Sequence, residues 1–304
     1  MEKENVYSTI SSNKWKSVLY IFFFFLLFIL VGTLVGRYLG YGLSFAGIML
    51  IISGVMSFVS YYYSDKIVLS ISGARQIQKE DNPRLYRVVE NMSIASGLPM
   101  PRVYEIADPA PNAFATGRDP KHAAVAATTG LLDILKDSEL EGVMAHEMSH
   151  VKNFDTRLMA IVAVLAGSIA ILSDIFFRSM LFSSLGGGRD NKNSGGGLFL
   201  ILTLVAAILA PIAATLIQLA VSRKREFLAD ADGALLTRYP EGLASALEKI
   251  ASYKKPMKRA SNATAHLYIE NPFGADSGKK KSWFVSLFST HPPVEERVNA
   301  LRSM

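Results

Sequence analysis

SELEGVMAHEMSHVKNFD, residues Ser138 to Asp155, is the stretch on which the reading of this chain turns. Ser138 can cap a helix, and Glu139 and Glu141 suit the positive end of a helix dipole. Leu140, Val143 and Met144 follow with helical spacing, and no Pro or Gly interrupts His146-Glu147-Met148-Ser149-His150. Residues four apart share a helix face, so His146 and His150 can aim both imidazoles at one metal ion. Two neutral imidazoles with a carboxylate suit zinc, and Glu147 stands where it can act on a water beside the metal. The pattern also arises by chance, and two histidines can be a solvated helix face, so its surroundings have to decide.

Outward from the motif the chain becomes apolar. Leu158 to Ser173 carries no charge and is bounded by Arg157 and Asp174. A second long run, Ser194 to Ser222, contains Pro211, which should kink a helix. Two more runs lie near the start, Ser17 to Gly36 and Tyr38 to Ser64, joined as a hairpin through Arg37. A hydrocarbon core needs ~20 helical residues, which predicts spans at about 17–36, 38–63, 158–177 and 197–222. A signal peptide is the competing reading of the first run, and a buried soluble helix that of the third. With four spans, both polar parts lie on one side. Lys3, Lys14 and Lys16 before the first span, Lys66, Arg75 and Lys79 after the second, and Arg223, Lys224 and Arg225 after the fourth make that side cytoplasmic.

Composition agrees. Of 304 residues, 50% are hydrophobic, and the mean hydropathy is +0.25. There is no cysteine, which excludes thiol catalysis, thiolate metal sites and disulfides. The net charge of +6 fits basic residues at a membrane face, and no basic-aromatic nucleic-acid motif stands out.

The polar parts read as mostly helical with a small sheet. Pro83 to Ser96 predicts a helix; Arg102 to Ile106, Asn112 to Gly117 and Ala123 to Thr128 predict short strands. Helices are expected from about Gly242 to Tyr253 and after Pro293, with a Lys-rich irregular region between them. The expected organisation is a tail and hairpin over 1–64, a first polar part with the motif helix over 65–157, a second membrane pair with an external glycine-rich loop over 158–222, and a second polar part over 223–304.

A catalytic metal site needs a third ligand and an open position. His122, His266, His291 and several carboxylates are candidates, because Val151-Lys152-Asn153-Phe154-Asp155 lacks the extension that would supply a third histidine locally. Glu226 is attractive. If the helices run on from the spans, it and His150 both lie within roughly 10 Å of the same membrane face at ~1.5 Å per residue. Asp230 is on the same helix face as Glu226 and can orient a ligand histidine through its second ring nitrogen. An ordinary charged helix is the alternative for that pair.

With these residues assembled, the chain resembles the HtpX family of membrane zinc metalloproteases. Four stretches carry the resemblance: Pro111 to Gly117, His146 to His150 with Asp155 following, Glu226-Phe227-Leu228-Ala229-Asp230, and Ser289-Thr290-His291-Pro292-Pro293 with Arg297. It implies an α+β fold with four membrane helices and a gluzincin-type cytoplasmic protease domain. It implies one Zn2+ per chain held by His146, His150 and Glu226, Glu147 as general base, and Asp230 and Asp155 behind the ligands. Substrate would add as a strand along the edge near Asn112 and Ala113, with His291 and Arg297 at the substrate backbone or the developing oxyanion. It further implies a bacterial-type plasma membrane location and quality control of damaged membrane proteins under stress, with polypeptides and the lipid bilayer as partners and no nucleic acid.

The remaining residues read more plainly. His122 suggests an exposed strand end, His266 a structural role, Gly117 a turn, and Lys279-Lys280-Lys281 a solvated charge run. The stretch from His266 to Phe284 could act as a lid. Three other functions stay open at this point: a processing protease with one defined substrate, a zinc-dependent scaffold without turnover, and an ion transporter. The last is disfavoured by the uncharged spans, and the scaffold by the presence of Glu147.

Overall fold

The structure, a computed structural model, describes residues 6–38, 40–41, 43–185, 212, 215, 222–274 and 292–304. The two apolar runs near the start form helices α1 (Val6–Tyr38) and α2 (Leu43–Ile71). Both outrun the uncharged segments, because Asn13, Lys14 and Lys16 extend α1 and Asp65 and Lys66 extend α2. Tyr20, Phe24, Phe28, Val31 and Val35 recur three and four apart on α1. That face is buried against Leu158, Ile161, Val162, Leu165 and Ile169 of α6 (Asp155–Leu185). The outer faces keep Phe22, Phe23, Leu30, Ile51, Val55 and Phe58 exposed, which suits lipid rather than water.

Among the described residues, two helices are long and apolar enough to cross a membrane, Ile10–Arg37 and Ala46–Ile71; a third counts only if the bent pair Asp137–Lys152 and Asp155–Ile171 is taken as one span. The expected fourth span, the glycine-rich loop and the Lys279–Lys281 run lie outside the described residues.

The sheet has four strands in the order β1 (Ala74–Gln76), β2 (Arg102–Ile106), β4 (Ala124–Thr128), β3 (Ala113–Thr116). β2 and β4 are parallel, and the other two pairs are antiparallel. β3 is an edge strand, and Ala113 and Ala115 stand opposite Ala127 and Val125 of β4. After β3, Gly117 turns the chain at φ 135°, where an added Cβ would strike the His122 carbonyl at 2.6 Å.

Helix α3 (Pro83–Ser96) starts where the Asn82 side chain accepts from Leu85 N and stops at Gly97 in the left-handed region. A short α4 (Thr129–Ile134) leads to α5 (Asp137–Lys152), the motif helix. Among the described residues, α7 (Arg223–Thr237), α8 (Pro240–Ser252) and α9 (Val294–Arg302) follow. α5 lies at its centre: Leu140, Val143, Met144 and Met148 share one core with Leu85, Val89, Val103, Val125, Leu243 and Leu247. Three sides of α5 are covered, which is why its histidines are buried.

Two sequence-based expectations need correction. Ser138 does not cap α5. The helix starts one residue earlier, and the Glu139 carboxylate accepts the Lys136 N–H at 2.7 Å. The motif helix also does not run on into the next one. Phe154 takes φ 59°, which breaks the helical ladder, and α5 and α6 meet at 80°. The elbow is tied down from β3's side, where Thr156 Oγ1 donates to Gly117 O at 3.0 Å and Arg157 Nε to Arg118 O at 2.5 Å. On the other side of the site, Ser222 is extended, so α7 begins afresh at Arg223. Glu226 reaches the motif from the first turn of that helix.

Candidate metal centre

The α5 periodicity that buries Leu140, Val143 and Met144 turns His146 and His150 toward α7, which lies against α5. Close approach is possible because α7 carries Gly233 there: an added Cβ would sit 3.0 Å from His146 N and 3.3 Å from His146 Cα. Glu226, about two helix turns before Gly233, is thereby brought to the two imidazoles. Both histidines and Glu226 are at most 5% exposed.

One nitrogen or oxygen atom from each of the three residues lies within 4.8 Å of the others. His146 Nε2 and His150 Nε2 are 3.2 Å apart, and Glu226 oxygens lie 3.8 Å from the first and 3.6 Å from the second. Ligands ~2.0–2.2 Å from a tetrahedral ion are separated from one another by roughly 3.3–3.6 Å. The donor spacing therefore fits a metal ion of zinc's size. Each opposite nitrogen faces a carboxylate, which leaves Nε2 for a ligand role: His150 Nδ1 is hydrogen-bonded to Asp155 Oδ2 at 3.0 Å, and His146 Nδ1 lies 2.9 Å from Asp230 Oδ1 in an ion-pair contact off the hydrogen-bonding direction.

The two carboxylates are held differently. Arg297, 0% exposed, donates from Nε to Asp230 Oδ2 at 2.8 Å and from Nη2 to Asp230 Oδ1 at 2.6 Å. Burial opposes the Asp230 charge, but this fork holds its carboxyl down to about 2. Asp155 is held by Asn13 of α1, whose Nδ2 donates to Asp155 Oδ1 at 2.7 Å. Burial likewise opposes a charged His150, yet the Asp155 hydrogen bond and the Glu226 charge raise it to about 9.

Glu147 follows His146 on α5 and is 2% exposed. Burial pushes its carboxyl above the ordinary range and Glu226 adds to the rise, while both histidines and a backbone hydrogen bond with Ala115 pull the other way. A buried carboxyl beside an edge strand, raised toward neutrality, is equipped to take up and return a proton.

The edge strand itself is partly engaged. Ile269 N donates to Ala113 O at 3.0 Å, and Asn112 binds the backbone of Glu270, with Nδ2 donating to its carbonyl at 2.9 Å. Asn112 and Ala113 are thus in contact with the chain's own segment. Arg297 is wholly enclosed beside Asp230, not facing an open cleft. His291 lies outside the described residues. His266 is buried with Nε2 3.1 Å from Met159 O, and His122 is half-exposed beside Asp119. The sequence pattern pointed to neither Gly233 nor Asn13, since one acts through close packing and the other through hydrogen bonds between distant segments.

The model of peptidase family M48 matches residues 79–304. A "Protease HtpX homolog" of Tropheryma whipplei (strain Twist) is 50% identical over 300 residues, covering 98% of this chain and 98% of that protein. One of Dictyoglomus turgidum is 47% identical over 304 residues, covering 100% of this chain and 96% of that protein. The solved structure titled "Crystal Structure of S. mikatae Ste24p" aligns with 96% of this chain and 66% of its own, at 14% identity and a TM-score of 0.49.

Proposed function

The chain belongs to peptidase family M48, and from that footing we propose that it is a membrane-embedded zinc endopeptidase working at the cytoplasmic face on damaged or misfolded membrane proteins. The observation that carries the reading is the convergence of His146, His150 and Glu226 donors on one point, with Glu147 beside them.

His146, His150 and Glu226 would hold the ion, with Asp230 and Asp155 facing the opposite ring nitrogens so that Nε2 is the ligand atom. When bound, zinc lowers the pKa of a coordinated water toward ~7 and polarises a peptide carbonyl. Glu147 takes the proton from the attacking water and returns it to the leaving nitrogen; its raised pKa brings it toward the working pH. We assign Arg297 to securing Asp230, which leaves the oxyanion donor to another group. A substrate peptide pairs along the β3 edge at Ala113 to Thr116. Backbone pairing gives affinity with little demand on sequence, which suits a quality-control enzyme. To enter at Ala113 it displaces the Ile269–Glu270 segment.

The test is the Glu147→Gln variant, purified in detergent beside wild type. Zinc content should stay at one per chain while casein cleavage and self-cleavage fall by ~10³-fold or more. Cleavage at the wild-type rate, with host proteases excluded, would overturn the mechanism. Mapping of the cut sites separates quality control from processing, since many sites are expected and a single dominant site would contradict the broad substrate class.

A further inference from the structure

Asn13 is a polar side chain buried on a membrane helix, 1% exposed, and a buried amide is costly unless every group on it is used. Here each group is used, by two different parts of the candidate site. Nδ2 donates to Asn153 O at 2.9 Å and to Asp155 Oδ1 at 2.7 Å. Oδ1 accepts from Arg225 Nη1 at 3.0 Å. Asn153 closes α5, Asp155 stands behind His150, and Arg225 precedes Glu226.

We propose that Asn13 is a positioning residue for the metal centre, making the first membrane helix a structural part of the site rather than only an anchor. The inference rests on the metal-centre reading above. Three features give it physical content. Asp155 has one oxygen on His150, and its other oxygen needs a partner that fixes the carboxylate plane. Arg225 Nε, 3.6 Å from that oxygen, is too distant to do so alone. A neutral amide orients the carboxylate without neutralising it, so the charge remains available to bias His150 toward Nδ1–H. The second Nδ2 bond, to Asn153 O, holds the end of α5 at the 80° elbow, so one side chain sets both the histidine's helix and its carboxylate. The asymmetry with the other ligand supports this assignment: Asp230 behind His146 is secured by Arg297, from α9.

The test uses the full chain in detergent or nanodiscs, stripped of metal and titrated with zinc against a competing chromophoric chelator, with casein cleavage followed in parallel. Loss of an outer partner costs ~10–100-fold in metal affinity, and Asn13 stands one contact further out. Asn13→Ala should therefore weaken zinc binding by about 3–10-fold at unchanged stoichiometry. Excess zinc should restore its activity with KM for casein unchanged, a rescue that general misfolding would not show. Asn13→Asp keeps the size but sets an oxygen against Asp155, and should weaken binding more than alanine does. In an Asp155→Asn background, Asn13→Ala should have a clearly smaller further effect, because the contact with the carboxylate is already lost and only the bonds to Asn153 and Arg225 remain. Ser17→Ala, which removes a buried hydroxyl one turn along α1, should bind zinc like wild type.

Wild-type affinity in both Asn13 variants would overturn the proposal. So would an equal loss in Ser17→Ala, or an undiminished Asn13→Ala effect without the Asp155 carboxylate. If wild type takes up no zinc and His146→Ala changes nothing, the metal-centre reading itself fails and this inference falls with it.

Discussion

At the level of single side chains, a proton on His150 competes directly with a metal ion. Asp155 and Glu226 favour the imidazolium enough to overcome burial, which places the metal-free residue at about 9. A ligand histidine must be neutral, so metal uptake below that pH expels a proton. The sign follows: zinc affinity should rise with pH, about tenfold per unit while His150 is the one proton displaced, and level off above about 9. Chelator competition from pH 6.5 to 9.5, corrected for the chelator's own protonation, checks this, and a flat profile would contradict it. Arg297 makes a second case. It is wholly buried on Asp230, and removing one partner of a buried ion pair leaves the other charge uncompensated. Arg297→Ala should cost about 3–5 kcal/mol of stability and lower zinc occupancy, whereas Arg297→Lys keeps the charge but loses the fork and should cost less. Thermal unfolding with and without zinc reads both. An Arg297→Ala protein as stable as wild type would mean that the Asp230 charge is met elsewhere.

At the level of elements, what was legible in the sequence was what repeats locally. The long uncharged run of α1, the strand-like stretch of β2 and the four-residue spacing of His146 and His150 are each set by local sequence, and the structure has a helix, a strand and a helix there. β1 and α4 were missed because three and six residues are too few to carry a period. The elbow was missed for another reason. Nothing around Asn153-Phe154 announces a break, and the left-handed Phe154 is imposed by contacts from β3's loop and from α1. Glu226 was reached by an argument that assumed continuous helices; the structure brings it to the histidines through the α5–α7 packing that Gly233 permits. That packing is testable. Gly233→Ala should push α7 back by a few tenths of an ångström and weaken zinc binding several-fold, on the scale of a displaced ligand, about 1 kcal/mol or more. Binding at wild-type strength would mean that α7 adjusts without moving Glu226. The elbow offers a matched pair. Phe154→Gly removes left-handed strain of about 1–2 kcal/mol but also the ring that Lys14 and Arg157 face, so stability should change by less than about 1 kcal/mol. Phe154→Val keeps the strain, adds branching at Cβ and loses the ring, and should be destabilised by about 2 kcal/mol or more in the same unfolding measurement.

At the level of the whole molecule, the packing of α5 against α7 constrains topology more tightly than counting apolar runs does. α5 and α7 share one body, so the chain between Arg157 and Ser222 must leave the membrane on the side where it entered. Return to the same side requires an even number of crossings. α6 runs for 31 residues, roughly 46 Å at ~1.5 Å per residue, enough to traverse a hydrocarbon core of ~30 Å. The proposed topology takes two crossings there and puts the shared body in the cytoplasm, on the basis of the Lys and Arg bias. The absence of cysteine makes this directly measurable, because any single introduced thiol is the only one in the protein. Ile94 and Leu235 are exposed on the body, at 76% and 75%, and Tyr41 is 65% exposed between α1 and α2. In right-side-out spheroplasts a membrane-impermeant maleimide should label Tyr41→Cys at once, and Ile94→Cys and Leu235→Cys only after the membrane is opened. Arg189→Cys, between the two apolar runs, should behave like Tyr41→Cys if α6 crosses and like Ile94→Cys if it does not. Labelling of Ile94→Cys in intact spheroplasts would place the metal centre outside the cell and remove cytoplasmic quality control as its task.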